Sequence, residues 1–365
     1  MYGIVLAGGV GSRLWPRSRN NTPKQLLGLL SAHSMLQETI DRLTPIIPIE
    51  NIVIVIGENH ATQAREQLPG LPAANILVEP AARGTAPAIG LALNHIARLA
   101  QANGEPDPII GSFHADHIIT NIAEFQSVVQ DAALIAQQGL IVTLGITPNQ
   151  PHTGYGYIER GIELAAPNQR KVYRVARFVE KPPRTTAEEY LATGRYSWNS
   201  GMFIWKLSTI LAEFETHQPR LFRQLQEIDA AAATPQAHTV LNRVWNEMRT
   251  ETIDVGIAEK SQQMAVIPAD FGWSDVGDWS VVAELLAAQK TDHNNNSVIG
   301  QHFGLDTSNS LVYNSVEGKL IATIGLDNLV IVDTGDVLLV CDRNKHQDVK
   351  KVVEQLKQQG LFQYL

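Results

Sequence analysis

Residues 2–16 read YGIVLAGGVGSRLWP, and this stretch decides the fold. The apolar run at 3–6 is typical of a buried β-strand, and it leads into three glycines within four residues. Glycine permits tight turns that expose backbone N–H groups, and such groups can surround an anion. Arg13 adds a forked donor and Lys24 a point charge, both suited to phosphate oxygens. The stretch therefore predicts a strand followed by an anion-binding loop at the start of an α/β domain.

Apolar, β-rich runs alternate with helical patterns over the first two-thirds of the chain. The predicted strands are 3–6, 52–56, 76–78, 108–111, 140–145, 172–179, 201–205 and 264–267. The predicted helices are 34–43, 60–67, 85–101 and 122–138. This alternation predicts right-handed βαβ units and an α/β fold with a Rossmann-like mixed, mainly parallel sheet flanked by helices.

The pattern changes after three consecutive asparagines at 294–296. Short β-rich segments at 310–313, 320–324, 329–332 and 337–340 are separated by Gly, Asp and Asn turns, which is typical of a small all-β module. Helical patterns occupy residues 278–288 before this module and 348–358 after it. We therefore predict a large α/β domain at residues 1–290 and a C-terminal β module with a terminal helix at residues 291–365.

Charge and cysteine content exclude several classes of protein. The formal net charge is −8, so the surface as a whole does not attract nucleic acid. Cys341 is the only cysteine, which excludes an intrachain disulfide and a cysteine-rich zinc site. No apolar run is long enough to span a bilayer, and the N-terminus lacks the pattern of a secretory signal. We expect a cytoplasmic protein that binds neither nucleic acid nor membrane.

The glycine loop alone does not identify a function. On its glycines, an ordinary turn with two solvated basic residues is the simpler interpretation. A P-loop is excluded because no Gly-Lys-Ser/Thr follows. The dinucleotide fingerprint is excluded because the glycine spacing differs and Trp15-Pro16 interrupts the helix that should follow.

A second candidate segment, residues 78–88, reads VEPAARGTAPA. It follows a predicted strand and opens a predicted helix, so Thr85 is the expected N-cap, with Pro87 in the first turn. A capped helix explains these two residues but not Glu79 or Arg83. The alternative interpretation is that Glu79 and Arg83 form a surface ion pair, which would contribute little to stability.

Two aspartates far apart in the chain also stand out. Asp116 follows the predicted strand at 108–111, where an α/β sheet presents its functional groups. Asp275 lies in the stretch FGWSDVGDW at residues 271–279. A lone aspartate is more often a turn former or helix cap, and we assign Asp278 to capping. Asp116 and Asp275 are the candidates for chemistry because each lies within an extended motif.

The loop and its surroundings resemble a known family. The pattern Gly-Gly-x-Gly-x-Arg-Leu at 8–14, followed by Pro-Lys-Gln at 23–25, is similar to the signature loop of sugar nucleotidylyltransferases. Leu-Trp-Pro at 14–16 resembles their mannose-1-phosphate guanylyltransferase branch. The resemblance implies the nucleotide-diphospho-sugar transferase type of α/β fold with a short β-helix-like C-terminal module. It assigns nucleotide binding to Leu6, Ala7, Gly8, Gly9, Gly11, Arg13, Glu79, Pro80, Gly84 and Thr85.

The resemblance also implies a metal site and a sugar site. Asp116 and Asp275 correspond to the ligands of Mg²⁺, a hard cation that prefers carboxylate and phosphate oxygens. The implied sugar-phosphate site is formed by Lys24, Gly154, Glu180, Lys181 and Asn199, and the implied catalytic residues are Arg13, Lys24, Asp116 and Asp275. Gly84 replaces an asparagine that is usual in the family, and we expect Gly84→Asn to keep or sharpen the preference for guanine.

The implied reaction joins GTP and α-D-mannose 1-phosphate, giving GDP-mannose and pyrophosphate. Three alternatives stay open: another hexose 1-phosphate and nucleoside triphosphate pair, a nucleotide-sugar glycosyltransferase, and a non-catalytic nucleotide-sugar-sensing homologue. The C-terminal module resembles a tail that often mediates dimerisation, so we expect a homodimer.

Overall fold

The computed structural model of the protein describes residues 1–166, 168, 170–289 and 291–365. These residues form two compact units, each assembled from separate stretches of the chain. Unit 1 contains Met1–Gly8, Thr39–Ala115 and Ile119–Trp273, and unit 2 contains Gly9–Glu38, Asp116–Ile118 and Ser274–Leu365. The linear boundary expected between residues 290 and 291 falls on Lys290, which lies outside the described residues, so it stays a prediction.

One large sheet organises unit 1. The first eleven strands are β1 (Tyr2–Ala7), β2 (Ile52–Gly57), β3 (Ile76–Glu79), β4 (Ile109–His114), β5 (Ile118–Ile119), β6 (Ile141–Ile146), β7 (Tyr157–Leu164), β8 (Val172–Val179), β9 (Tyr196–Lys206), β10 (Met264–Ala269) and β11 (Trp273–Ser274). Nine of these described strands form the sheet, in the order β3-β2-β1-β4-β9-β6-β10-β8-β7. Strands β1 to β4 pair in parallel, as do β6 and β10, whereas β8 and β9 run against their neighbours. The predicted mixed, mainly parallel α/β sheet is confirmed.

The sequence produces this sheet because its strands are apolar along their whole length. β1 and β6 are buried at every position, as expected for strands covered on both faces. In a parallel sheet the carboxyl ends of neighbouring strands meet at one edge, where α/β proteins place their ligands. Ala7, Glu79 and His114 end β1, β3 and β4 and therefore lie at this edge.

Helices cover the sheet of unit 1. They are α1 (Met35–Leu43), α2 (Glu58–Gln67), α3 (Thr85–Ala102), α4 (Ile122–Ala136), α5 (Arg184–Thr193), α6 (Leu207–His217), α7 (Pro219–Ala231) and α8 (Ala237–Glu247). The bounds of α1, β5 and β11 cross the division between the units. The core is apolar and well filled, with Trp205 and Trp245 fully buried. Gly90 of α3 allows α7 to approach closely, because a Cβ there would lie 3.0 Å from Leu225 Cδ2.

Unit 2 combines the glycine loop with a coil of short strands. These are β12 (Ser297–Ile299), β13 (Gln301–Leu305), β14 (Leu311–Asn314), β15 (Leu320–Ile324), β16 (Leu329–Asp333) and β17 (Leu338–Asp342), with α9 (Trp279–Gln289) before them and α10 (Val349–Gln358) after them. β12, β14 and β16 pair in parallel in one sheet, and β13 and β15 pair in parallel in another. Strands β12 to β16 therefore alternate between two sheets, and β17 pairs antiparallel with β16. The β-helix-like module is confirmed.

Several elements were not located from the sequence. β7 is absent from the predicted strands, because only its first residues are buried. Helices α5 to α8 were not placed within the stretch between β8 and β10. In the part of the chain that the structure describes, no helix has the length and apolar character needed to cross a membrane.

Candidate active site

The glycine loop turns sharply because two of its glycines adopt left-handed backbone angles. Gly9 has φ 83° and Gly11 has φ 73°. A Cβ on Gly11 would lie 2.6 Å from Lys24 Cβ, so the absence of a side chain lets Lys24 pack against the loop. Lys24 N also donates to Val10 O at 3.2 Å. Gly8 is exposed, and no atom lies within 4 Å of its Cβ position.

The residues after the glycines are anchored inside unit 2. Leu14 and Trp15 are buried in its core. Trp15 Nε1 donates to Tyr364 O at 2.7 Å, and Trp279 Nε1 donates to Trp15 O at 2.9 Å. Arg13, by contrast, is exposed. This packing holds the loop from its apolar side and leaves the guanidinium group of Arg13 accessible to an anion.

Lys24 connects the two aspartates that the sequence singled out. Its side chain is only 6% exposed, and Nζ lies 3.0 Å from Asp116 Oδ2. The same ammonium group donates to the main-chain oxygen of Asp275. Asp116 and Asp275 lie 92 and 251 positions from Lys24 in the sequence, and both contact its ammonium group. Arg13 lies close by, because a Cβ on Gly277 would be 3.9 Å from Arg13 Nη1 and 3.6 Å from Asp275 Oδ2.

The backbone beside Asp275 is strained. Val276 is fully buried and has φ 46°, a conformation that is unfavourable for a β-branched residue. Its N–H donates to Ser274 Oγ at 3.1 Å. Strain of this kind persists only where the surrounding structure enforces it, and it is concentrated at functional sites.

The groups around Lys24 fit a hard divalent cation. Asp116 and Asp275 offer carboxylate oxygens, the donor type that Mg²⁺ prefers. In this structure a cationic ammonium group already lies against Asp116 Oδ2 and Asp275 O. Asp278 has a different role, because its Oδ1 accepts from Ser280 N at 2.9 Å and caps α9, as predicted.

Glu79 lies at the last position of β3 and is only 8% exposed. Burial raises the pKa of its carboxyl group to about 7. Arg83 does not neutralise it, because Arg83 Nη2 donates to Asn246 O at 3.1 Å. The alternative of a surface ion pair between Glu79 and Arg83 therefore finds no support in this geometry.

The residues after Glu79 are tied to the segment around Glu251. Ala86 N donates to Glu251 O at 3.1 Å, and Glu251 N donates to Arg83 O at 2.9 Å. One expectation from the sequence is wrong here. Gly84, not Thr85, is the N-cap of α3, and the Thr85 hydroxyl accepts from Ile253 N at 2.8 Å instead.

The backbone conformation of Gly84 is unfavourable for the asparagine usual in the family. It has φ 84° and ψ 176°, a region reserved for glycine. A Cβ there would overlap Glu251 O and lie 2.9 Å from Glu251 C. The geometry predicts that Gly84→Asn is destabilising, because the backbone of Glu251 occupies the space, and its expected effect on the preference for guanine stays a prediction.

Four of the five predicted sugar-phosphate residues lie in unit 1, on β9 and in the loops next to β7 and β8, whereas Lys24 lies in unit 2. A Cβ on Gly156 would lie 2.6 Å from Glu180 Oε2 and 3.3 Å from Asn199 Cβ, so these three residues are in direct proximity. Lys181 is exposed, and its Nζ lies 2.7 Å from Glu180 Oε1. Gly154 is exposed and donates its N–H to His152 Nδ1 at 3.2 Å, so its contact with a sugar stays a prediction.

Two residues beside this group were missed. Gly156 is not among the predicted site residues, although the spacing Gly-Tyr-Gly at 154–156 marks it. Asp254 had no signal in the sequence, because it lies in a short π-helical turn, Asp254–Ala258, without a recognised motif. Asn199 Nδ2 donates to Asp254 Oδ1 at 2.7 Å.

The predicted nucleotide and metal residues of unit 2, Gly9, Gly11, Arg13, Lys24, Asp116 and Asp275, lie near one another. Leu6 and Ala7 are buried at the end of β1. Pro80, Gly84 and Thr85 lie in the segment that follows Glu79. An α/β sheet with a glycine loop, basic groups and paired carboxylates defines a phosphate-handling, nucleotide-binding class of enzyme.

The chain belongs to the nucleotidyl transferase family, whose model matches residues 2–293. Residues 300–356 match the mannose-phosphate isomerase/GMP-like β-helix domain. A mannose-1-phosphate guanylyltransferase of Klebsiella pneumoniae is 42% identical over 99% of this chain and 75% of its own length. One from Escherichia coli is 41% identical with the same coverage. A crystal structure described as a mannose-1-phosphate geranyltransferase from Thermus thermophilus superposes with a TM-score of 0.85, at 32% identity, over 98% of this chain and 99% of that one.

Proposed function

We propose that this protein transfers GMP from GTP to α-D-mannose 1-phosphate, giving GDP-mannose and pyrophosphate. The observation that carries the proposal is the meeting of Lys24, Asp116 and Asp275 beside the glycine loop. The activity named for the Klebsiella and Escherichia relatives supports the choice of substrates.

The proposed reaction needs no nucleophile from the protein, because the sugar phosphate already carries the attacking oxygen. That oxygen forms a bond to the α-phosphorus of GTP. The bond from the α-phosphorus to the oxygen bridging to the β-phosphate breaks, and pyrophosphate leaves with the electron pair. Catalysis then consists of positioning and charge neutralisation.

Within this proposal, Arg13 and the glycine loop bind the triphosphate, and Lys24 neutralises charge on the reacting phosphates. Such preorganised charges stabilise the transition state because they need no rearrangement as the reaction proceeds. Asp116 and Asp275 would hold a Mg²⁺ ion, which supplies further neutralisation of phosphate charge when bound.

Glu79 is the proposed reader of guanine. Guanine presents two adjacent donors, N1–H and the N2 amino group, and an ionised carboxylate can accept from both. Uracil presents one N–H between two carbonyl oxygens, one of which would face the carboxylate. In the sugar site, Glu180 and Asn199 are the proposed hydrogen-bond partners of the hexose hydroxyl groups. Lys181 is the proposed partner of the sugar phosphate.

A pyrophosphate-release assay tests the proposal with GTP, UTP and ATP, each combined with mannose 1-phosphate and glucose 1-phosphate. We expect the highest kcat/KM for GTP with mannose 1-phosphate and loss of activity in Lys24→Ala. Lys319→Ala is the control, because Lys319 Nζ also pairs with an aspartate, Asp333 Oδ2, at 2.6 Å, and we expect the activity of this variant to be normal.

Other outcomes would overturn the proposal. A different preferred pair would indicate another nucleotidylyltransferase, and nucleotide-sugar binding without pyrophosphate release would indicate a sensing homologue. Transfer of sugar from a nucleotide sugar would indicate a glycosyltransferase. The homodimer and the cytoplasmic location stay predictions.

A further inference from the structure

A carboxylate that the proposed mechanism does not use lies beside Asn199. Asp254 begins the π-helical turn Asp254–Ala258, and such turns occur frequently at functional sites. Its Oδ1 accepts from Asn199 Nδ2 at 2.7 Å. In the described part of the chain, Asp254 Oδ2 receives no hydrogen bond from another residue, and Asp254 forms no ion pair with a lysine or arginine. Asp254 as a whole residue is partly exposed to solvent.

The hydrogen bonds of Asn199 define what its amide can still offer. Its Oδ1 accepts from Gly201 N at 3.1 Å and from Thr143 Oγ1 at 3.4 Å. An amide oxygen has two lone pairs and an amide nitrogen has two N–H groups. The amide oxygen of Asn199 is thus engaged by Gly201 N and shares the single hydroxyl hydrogen of Thr143 with Met202 O, which lies 3.2 Å from Thr143 Oγ1. One N–H of the Asn199 amide is left after the bond to Asp254, and Asn199 can donate it to a ligand.

The acceptors left in this region are carboxylate oxygens. Glu180 Oε2 lies over Gly156, beside Asn199 Cβ, and Asp254 is bonded to the Asn199 amide. Burial raises the pKa of Asp254, and the neighbouring charge of Glu180 raises it further. A carboxyl group keeps oxygen lone pairs in both its ionised and its protonated form, so both groups can accept from neutral hydroxyl groups.

We infer that Asp254 is a further hexose-recognition residue, which holds the Asn199 amide in one orientation and accepts a ring hydroxyl through its second carboxylate oxygen. Together, Glu180 and Asp254 accept hydrogen bonds from the hydroxyl groups of the ring. This inference rests on the proposed function, because it takes the ligand to be the hexose of the sugar phosphate.

The test compares Asp254→Asn with wild type in the pyrophosphate-release assay and in calorimetric binding of mannose 1-phosphate. We expect the KM for mannose 1-phosphate to rise about 10- to 100-fold, the effect of losing a hydrogen bond to a charged group. The KM for GTP should change less than about twofold, since the nucleotide groups are untouched. In Asp254→Asn the new amide group would face the amide group of Asn199. Asp254→Ser avoids this contact and is the second variant to measure if Asp254→Asn misfolds.

Asp131→Asn is the matched structural control. Asp131 is also a buried carboxylate of unit 1, and it accepts from Asn168 Nδ2 at 2.7 Å and from Arg170 Nε. We expect it to lower Tm without changing the ratio of the two KM values. An unchanged KM for mannose 1-phosphate in the Asp254 variants, or an equal rise for both substrates, would overturn the inference. If wild type itself releases no pyrophosphate, the proposed function fails, and calorimetry with mannose 1-phosphate still decides the role of Asp254.

Discussion

Adding a single methyl group at Gly84 tests how the segment after Glu79 is held. In Gly84→Ala the new Cβ would overlap Glu251 O and lie 2.9 Å from Glu251 C. Neither atom can move alone, because Glu251 O accepts from Ala86 N and Glu251 N donates to Arg83 O. The backbone angles of Gly84 are also unfavourable for any residue with a side chain.

The expected loss of stability follows from three contributions. Glycine-only backbone angles cost about 1–3 kcal/mol, and forced displacement of packed atoms costs about 1–3 kcal/mol more. The stiffer unfolded chain offsets about 0.4–1 kcal/mol. The net destabilisation is about 3 kcal/mol, which lowers Tm by about 6–12 °C at about 2–4 °C per kcal/mol.

Thermal unfolding followed by circular dichroism measures this effect, with Gly139→Ala as the matched control. Gly139 has φ 81°, but no atom lies within 4 Å of its Cβ position. The control therefore carries the backbone cost without the overlap, and we expect its Tm to fall by only about 2–4 °C. Equal Tm values for the two variants, or a Gly84→Asn variant as stable as wild type, would refute the reasoning.

The remaining predictions concern the chemistry of the site. Asp116→Asn and Asp275→Asn should each retain the fold and lose about 10²-fold or more in kcat, measured over a Mg²⁺ titration, because each removes a charge-stabilising group. Arg13→Ala should lower kcat/KM for GTP more than it weakens binding of mannose 1-phosphate, while Lys24→Ala should impair the use of both substrates. Glu79→Gln should reduce the preference for GTP over UTP about 5- to 100-fold, the range for a bidentate base contact. Because burial raises the pKa of Glu79 to about 7, its carboxyl group becomes ionised as pH rises through 7, and we expect the GTP preference of wild type to rise with it while that of Glu79→Gln stays flat.

The same pKa predicts an effect on folding. A carboxyl group whose pKa is higher in the folded than in the unfolded state binds its proton more tightly when folded. Its contribution to stability is present below pH 4.5 and is lost as pH rises towards 7. Relative to Glu79→Gln, wild type should therefore lose stability across this pH range, measured by urea unfolding.

Each of these predictions has an outcome that contradicts it. Near-normal turnover of either aspartate variant at limiting Mg²⁺ would remove that residue as a ligand. If Arg13→Ala weakened only the binding of mannose 1-phosphate, the loop would bind mannose 1-phosphate and not GTP. An unchanged nucleotide preference in Glu79→Gln would leave the main chain around Gly84 as the source of selectivity.

The sequence by itself determined the features that depend on neighbours along the chain. The apolar runs at β1, β2 and β6 predicted buried strands, and the turns after residue 296 predicted the β module, because hydrophobic periodicity reflects local structure. The pattern around Gly9 and Gly11 predicted the tight loop, since positive φ angles favour glycine.

Only the tertiary structure decided the features that join distant residues. Thr85 looked like a helix cap, but its hydroxyl binds Ile253, 168 positions away. The sequence suggested that Gly84 could be replaced by asparagine, whereas the structure shows the backbone of Glu251 where its side chain would lie. Asp254 lies in no recognisable motif, and only its hydrogen bond with Asn199, 55 positions away, links it to the site. Spacing along a chain reports which residues share a helix or strand face, whereas packing decides which faces meet, and the chemistry of this protein depends on both.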